Sequence, residues 1–186
     1  MTLFWPHRHH RTIHEVPLQE LWDHGIRGIL LDIDNTLATH TVYEVAPEAR
    51  DWVDEAKAMG FKVALYSNAM SARTRKMAEV LEVAAAPRGY KPLNFGLAGA
   101  LRLLGLPRHQ VALVGDQLFT DVLGGKLGGL TTVLIEPLSR KEWLHTRWFR
   151  KLENAFGRRD VGKMNVLHRP TLSDPTGDPP PDPNQL

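Results

Sequence analysis

Apolar residues cluster in four short runs, at 28–33, 61–66, 111–114 and 132–135, each bounded by glycine, proline or polar residues. Runs of this length are the pattern of strands buried on both faces of a parallel sheet. A weaker fifth run lies at 83–86. Between the runs the period changes to that of helices. The segment 47–59 opens with Pro47 at a first-turn position and carries Trp52, Val53, Ala56 and Met59 on one face, with Gly60 as a stop. Ser71 is placed to cap a helix running to about Leu81. Leu93, Leu97, Leu101 and Leu104 form a helical stripe that ends at Gly105, so a helix over 93–104 is expected. Strands alternating with helices at this spacing predict an α/β fold with a doubly wound, Rossmann-like parallel sheet.

The termini depart from this pattern. Residues 1–14, MTLFWPHRHHRTIH, have too short an apolar stretch, followed by charges, to read as a signal peptide. His7, His9, His10 and His14 read as a solvated, poorly ordered terminus rather than a metal site. Six of the seventeen residues in 170–186 are proline, and apolar residues are nearly absent. Such a segment buries too little surface to offset its chain entropy. The expected organisation is one domain over 1–164 and a disordered Pro-rich tail over 165–186.

Composition narrows the chemistry by exclusion. The 186 residues include no cysteine, so disulfides and thiolate metal sites are excluded. No apolar run approaches the roughly 20 residues of a membrane helix. The expected location is the cytoplasm. The formal net charge of +2 names no polyanionic partner, and no nucleic acid is expected.

The candidate chemistry sits where the first run gives out, in GILLDIDNTL. Side chains at i and i+2 of a strand share a side, so Asp32 and Asp34 can reach one site at the carboxyl end of the sheet, where open α/β folds bind ligands. Two carboxylates about 4 Å apart repel by roughly 4 kcal/mol at an effective dielectric of 20. A cation or a shared proton would offset that cost. A strand ending in two solvated acids, with Asn35-Thr36 as a turn, is the alternative. Three later segments lie at strand ends or loops: LYSNA with Ser67, RGYKP with Lys91, and LVGDQLFTD with Asp116 and Asp121. Read singly, Ser67-Asn68 is as readily a turn, Lys91 a surface lysine and Asp116 a helix cap.

Together and in this order, DIDNT, Ser67, Lys91 and GDQLFTD resemble the four motifs of haloacid dehalogenase (HAD) phosphatases over residues 25–136. GIRGILLDIDNTL, YKPLNFGLAGAL, VGDQLFTDVLGGKLGG and PLSRKEWLHTRWFRKLE extend the likeness to about Glu153 and toward the YqeG-like family of subclass IIIA. That family is similar to mitochondrial phosphatases acting on phosphatidylglycerophosphate. The resemblance implies a HAD fold and a Mg²⁺-dependent phosphomonoester hydrolase. It implies Asp32 as nucleophile forming an aspartyl-phosphate, and Asp34 as acid and then base. It assigns phosphate binding to Ser67, Asn68 and Lys91. It assigns Mg²⁺ to Asp32, the backbone carbonyl of Asp34, and Asp116, with Asp121 divided between a place just outside the metal's ligands and helix capping. A signalling receiver domain is rejected, because its motifs would place the phosphorylated acid before the Ser/Thr and the lysine last.

Many HAD enzymes carry a cap domain. Here only residues 38–46 separate the first motif from the next helix, and 67–91 hold one helix and one short strand. No cap fits, so an open site is expected, suited to a bulky phosphorylated substrate. Residues 138–163 contain eight Lys or Arg and three acids. A basic amphipathic helix over 140–156, with Trp143, Trp148 and Phe149, suits peripheral contact with an anionic membrane at its inner face. A helix packed on the domain is the alternative, and Arg140, Arg147 and Arg150 are head-group candidates. Three functions follow. One is phosphatidylglycerophosphate dephosphorylation. Another is a soluble phosphatase for a sugar phosphate, nucleotide or phosphoprotein. The last is a non-catalytic module docking on a ribosome or GTPase.

Overall fold

The computed structural model describes residues 3–34, 36–37, 45–68 and 72–138. The expected cap at Ser71, the basic helix over 140–156 and the tail over 165–186 lie outside these residues. In chain order the elements are β1 (Arg8–His10), α1 (Leu18–Asp23), β2 (Gly28–Leu31), α2 (Pro47–Ala58), β3 (Lys62–Leu65), α3 (Ala72–Leu81), β4 (Ala84–Ala85), α4 (Leu97–Leu104), β5 (Val111–Gly115), a π-helical turn (Leu118–Val122), α5 (Leu123–Leu127) and β6 (Thr131–Ile135). The strands form one sheet in the order β1-β6-β5-β2-β3-β4, and every pairing is parallel.

The four apolar runs are β2, β3, β5 and β6, and the weaker fifth is β4. Their residues divide between two cores. Ile29, Leu31, Val63, Leu65, Ala112 and Val114 pack with Trp52, Val53 and Ala56 of α2 and Met77 and Leu81 of α3. Leu30, Ala64, Tyr66, Val111 and Leu113 pack on the opposite side with Leu97, Ala100 and Leu104 of α4. Alternation along each strand thus feeds both faces, which is why the runs are continuously apolar. Each fully buried leucine or isoleucine contributes roughly 1.5–3 kcal/mol. Helix α2 begins with Pro47 in its first turn, and α4 ends at Gly105 in the left-handed conformation at φ 63°.

Two expectations need correction. Helix α4 begins at Leu97 rather than Leu93. Tyr90 and Asn94 take positive φ angles of 52° and 58°, which no helix accommodates, and Leu93 is 69 % exposed. The N-terminus is not a loose end either, because Arg8, His9 and His10 pair with Val133, Leu134 and Ile135 as the sixth strand. His7 is tied in beside it. The Thr132 amide donates to His7 Nδ1 at 2.9 Å, and Lys126 Nζ lies 3.1 Å from Nε2.

This position makes His7 an acid-sensitive contact. Burial, then the charges of Lys126 and Arg8, lower its pKa from 6.5 to about 4. Between those values the unfolded chain takes up a proton that the folded chain refuses. Stability is unaffected by His7 above pH 6.5 and is lost as pH falls from 6.5 toward 4. After discounting for partial exposure, the loss between pH 7 and pH 5 is about 1–2 kcal/mol. Urea unfolding at both pH values should show this difference in the wild type and a correspondingly smaller one in His7→Gln. Equal pH dependence in the two proteins would exclude His7 as its source.

Candidate active site

Strand order reverses between β2 and β5, which are adjacent and lead outward in opposite directions. Their carboxyl ends diverge there, the position where open α/β sheets form a binding crevice. Asp32 follows β2 and Asp116 follows β5. The Asp32 amide still donates to the Val114 carbonyl at 2.9 Å, so the sheet itself fixes the nucleophile candidate beside β5. Ser67 follows β3 on the other flank of β2.

Lys91 is the hub of the cluster. Its ammonium donates to Asp32 Oδ1 at 2.7 Å, Asp121 Oδ1 at 2.6 Å and the Tyr66 carbonyl at 3.0 Å. Three donors thus meet three acceptors, and the Lys91 side chain is only 1 % exposed. Burial opposes the charge, but the carboxylates of Asp121 and Asp32 more than offset it and hold the Lys91 pKa above the ordinary lysine value. Burial also pushes the Asp121 carboxyl up to about 6, aided by Asp32 and opposed by Lys91. The lysine backbone is clamped as well. Its amide donates to Asn68 Oδ1 at 2.6 Å, and Asn68 Nδ2 donates to the Lys91 carbonyl at 3.0 Å.

One carboxylate oxygen from each of Asp32, Asp116 and Asp121 lies within 4.8 Å of the other two, and all three residues are buried. Three carboxylates and one ammonium leave a formal charge of −2 in a desolvated cluster. Burying uncompensated charge is costly, and one divalent cation would balance it. Gly115 makes the arrangement possible, because a Cβ there would collide with the Asp121 carboxylate. The Gln117 amide donates to Asp121 Oδ2 at 3.1 Å, so Asp121 also holds the turn that carries it.

Asp34 sits at the rim. Its Oδ1 accepts from Arg73 Nη1 at 2.7 Å, and its side chain is 26 % exposed. A cleft opens over the cluster, lined by Asp32, Asp34, Ser67, Asn68, Lys91, Gln117 and Thr120. The structure therefore brings Asp32, Asp34, Ser67, Asn68 and Lys91 together around one opening. Asp116 and Asp121 do not line it: Asp121 bonds to the lining residue Lys91 at 2.6 Å, and a carboxylate oxygen of Asp116 lies within 4.8 Å of one of Asp32. Arg73, Gln117 and Thr120 escaped the sequence reading. Gln117 and Thr120 lie inside the GDQLFTD segment, whereas no local signal marks Arg73, whose partner is 39 residues away.

The family model for haloacid dehalogenase-like hydrolases matches residues 38–129, which takes in Ser67, Lys91, Asp116 and Asp121 and begins just after Asp34. The chain is 31% identical over 150 residues to the probable phosphatase YqeG of Bacillus subtilis, covering 81% of this chain and 87% of that one. The chain belongs to the haloacid dehalogenase-like hydrolases and is a phosphatase of that family. It is also 29% identical over 168 residues to the chloroplastic/mitochondrial phosphatidylglycerophosphate phosphatase 1 of Arabidopsis thaliana. There it covers 85% of this chain and 48% of that one. With the chloroplastic enzyme of the same name from Chlamydomonas reinhardtii the identity is 30% over 147 residues, covering 74% of this chain and 55% of the other. The chain thus spans about half the length of these two relatives.

Proposed function

We propose that the protein is a Mg²⁺-dependent phosphomonoester hydrolase that removes the terminal phosphate of phosphatidylglycerophosphate through an aspartyl-phosphate. The observation that carries the reaction is the buried cluster of Asp32, Asp116 and Asp121 around Lys91. Its donors are all carboxylate oxygens, the type a hard cation such as Mg²⁺ prefers. Bound there, Mg²⁺ would supply positive charge opposite the phosphoryl oxygens.

Two anions, a carboxylate and a phosphate ester, must approach each other, and Lys91 lowers that barrier by holding Asp32. Asp32 attacks phosphorus, the ester P–O bond breaks, and the leaving alcohol oxygen takes a proton from Asp34. Water then attacks the aspartyl-phosphate and gives its proton to Asp34, and the Asp32–phosphorus bond breaks to release phosphate. Ser67 and the Asn68 backbone hold phosphoryl oxygens. Arg73 positions the Asp34 side chain, which lines the cleft, through a 2.7 Å contact to Oδ1.

The lipid substrate is supported by the two relatives named for it. It is also supported by the short connections around the site. Residues 38–46 and 68–91 are too few for a cap domain, so a phosphate on a large headgroup can enter. Among the described residues no helix is long and apolar enough to cross a membrane. The test compares kcat/KM for short-chain phosphatidylglycerophosphate, below its micellar concentration, with an aryl phosphate, a sugar phosphate and a nucleotide. A preference for the lipid of at least about 100-fold is expected, the scale of two or three well-made substrate contacts. Equal turnover of all four esters would remove the lipid and leave a general phosphatase.

A further inference from the structure

The loop that delivers Lys91 to Asp32 carries the two most exposed large apolar side chains of the described residues. Phe95 is 75 % and Leu93 69 % exposed, and Tyr90 beside them is 49 % exposed. Tyr90 and Phe95 pack edge to face at 6.3 Å, and the Arg88 guanidinium lies 4.8 Å over the Tyr90 ring. We infer that this loop, residues 88–96, is a docking tip that enters the surface of an anionic bilayer and sets the catalytic cleft against it. The inference rests on the lipid reading of the substrate and adds the element that meets the membrane.

The exposure is built into the loop rather than a consequence of slack. Gly89 N–H donates to the Ser67 carbonyl at 2.9 Å, and Arg88 Nε donates to the Asn68 carbonyl at 2.7 Å. The Asn94 amide closes on the Tyr90 carbonyl at 3.0 Å, and Gly96 N–H on the Gly89 carbonyl at 3.3 Å. The Tyr66 hydroxyl donates to the Gly89 carbonyl at 3.2 Å, and Asn94 Nδ2 donates to the Gly124 carbonyl. Tyr90 and Asn94 hold left-handed φ angles, a strain that persists only where the surroundings enforce it. A held backbone therefore keeps three apolar tips in water, next to residues that line the cleft.

The chemistry of the tip selects its occupant. An aromatic pair with an arginine on one face is amphipathic in the manner of residues at membrane interfaces. Within 88–96 there is no acidic residue, Lys91 is buried in the cluster, and Arg88 is exposed beside the aromatic pair, a balance that suits an anionic surface. A stable protein interface needs about 800 Å² from each partner, far more than three side-chain tips supply. Shallow insertion into a bilayer needs no more than a few apolar groups and a favourable charge.

The chain contains no cysteine, so Phe95→Cys provides a single attachment site for a polarity-sensitive fluorophore. Val80→Cys, 38 % exposed in the last turn of α3, is the control. With vesicles of phosphatidylglycerol and phosphatidylcholine, the probe at 95 should shift to the blue and the probe at 80 should not. The double variant L93S/F95S should partition onto these vesicles at least about tenfold more weakly, which is the burial of roughly one large apolar side chain. Its aryl phosphate turnover should stay within about twofold of wild type, since neither residue lies in the cluster. An unshifted probe at 95, equal shifts at both positions, or unchanged partitioning would overturn the inference. A blue shift that follows protein concentration without vesicles would assign the tip to a second copy of the chain and would overturn it equally. Turnover of monomeric short-chain phosphatidylglycerophosphate separates the two readings. Its absence in the wild type removes the substrate, whereas its presence with an unshifted probe removes only the docking tip.

Discussion

Asp32→Asn is expected to lower turnover of any phosphate ester by about 10⁴-fold or more, the scale on which loss of a nucleophile acts. Uncatalysed phosphate ester hydrolysis is so slow that no neighbouring group can replace covalent attack. The same substitution should leave the fold intact, because an asparagine oxygen can still accept from Lys91 at the position of Asp32 Oδ1. In chelator-treated buffer it should even stabilise the protein, by about 1–2 kcal/mol, since one of three clustered carboxylates loses its charge. Activity on an aryl phosphate and thermal unfolding with EDTA measure both effects. Retention of more than about a tenth of wild-type turnover would assign the attack to another group.

Lys91→Met should have the largest effect on stability. The methionine fills the space of the lysine stem but leaves Asp32 and Asp121 without the ammonium that holds them at 2.7 Å and 2.6 Å. Removing one partner from a buried ionic cluster costs about 3–5 kcal/mol, because the remaining charges stay desolvated. The cost should be greatest with EDTA and should shrink when millimolar Mg²⁺ is added, as a divalent ion takes over part of the compensation. Turnover should be lost in either buffer, since the phosphate then meets three carboxylates with less positive charge beside it. Unfolding of Lys91→Met at the wild-type temperature in EDTA would show that the cluster does not depend on the lysine.

The parts of this molecule that could be read from its sequence share a physical cause. β2, β3, β5 and β6 are buried on both faces, so their apolar runs stand out against polar surroundings. Pro47 and Gly105 mark helix ends through backbone geometry alone. β1 escaped because Arg8-His9-His10 is an edge strand held by backbone pairing to β6, which leaves no apolar signature. Leu93 misled because it continues a leucine stripe in sequence while the left-handed residues around it keep the chain out of a helix. The site was legible through the order of its motifs rather than through any one residue. Asp32, Asp34, Ser67, Asn68 and Lys91 do line one cleft, but Arg73 was invisible because its contact with Asp34 is purely tertiary. The sequence alone leaves Asp121 divided between helix capping and a place just outside the metal's ligands. The structure shows it bonded to the Gln117 amide and to Lys91 at once, a pairing that depends on the missing side chain at Gly115.

The edge strand has a consequence for how the molecule assembles. His7 and Thr132 are 125 positions apart, so the earlier segment must wait for that many further residues before its neighbour exists. Closing so long a loop defers any gain in free energy until the other strands are in place. During synthesis β1 would remain unpaired while the centre of the sheet condenses, and its arrival beside β6 would complete the edge of the sheet.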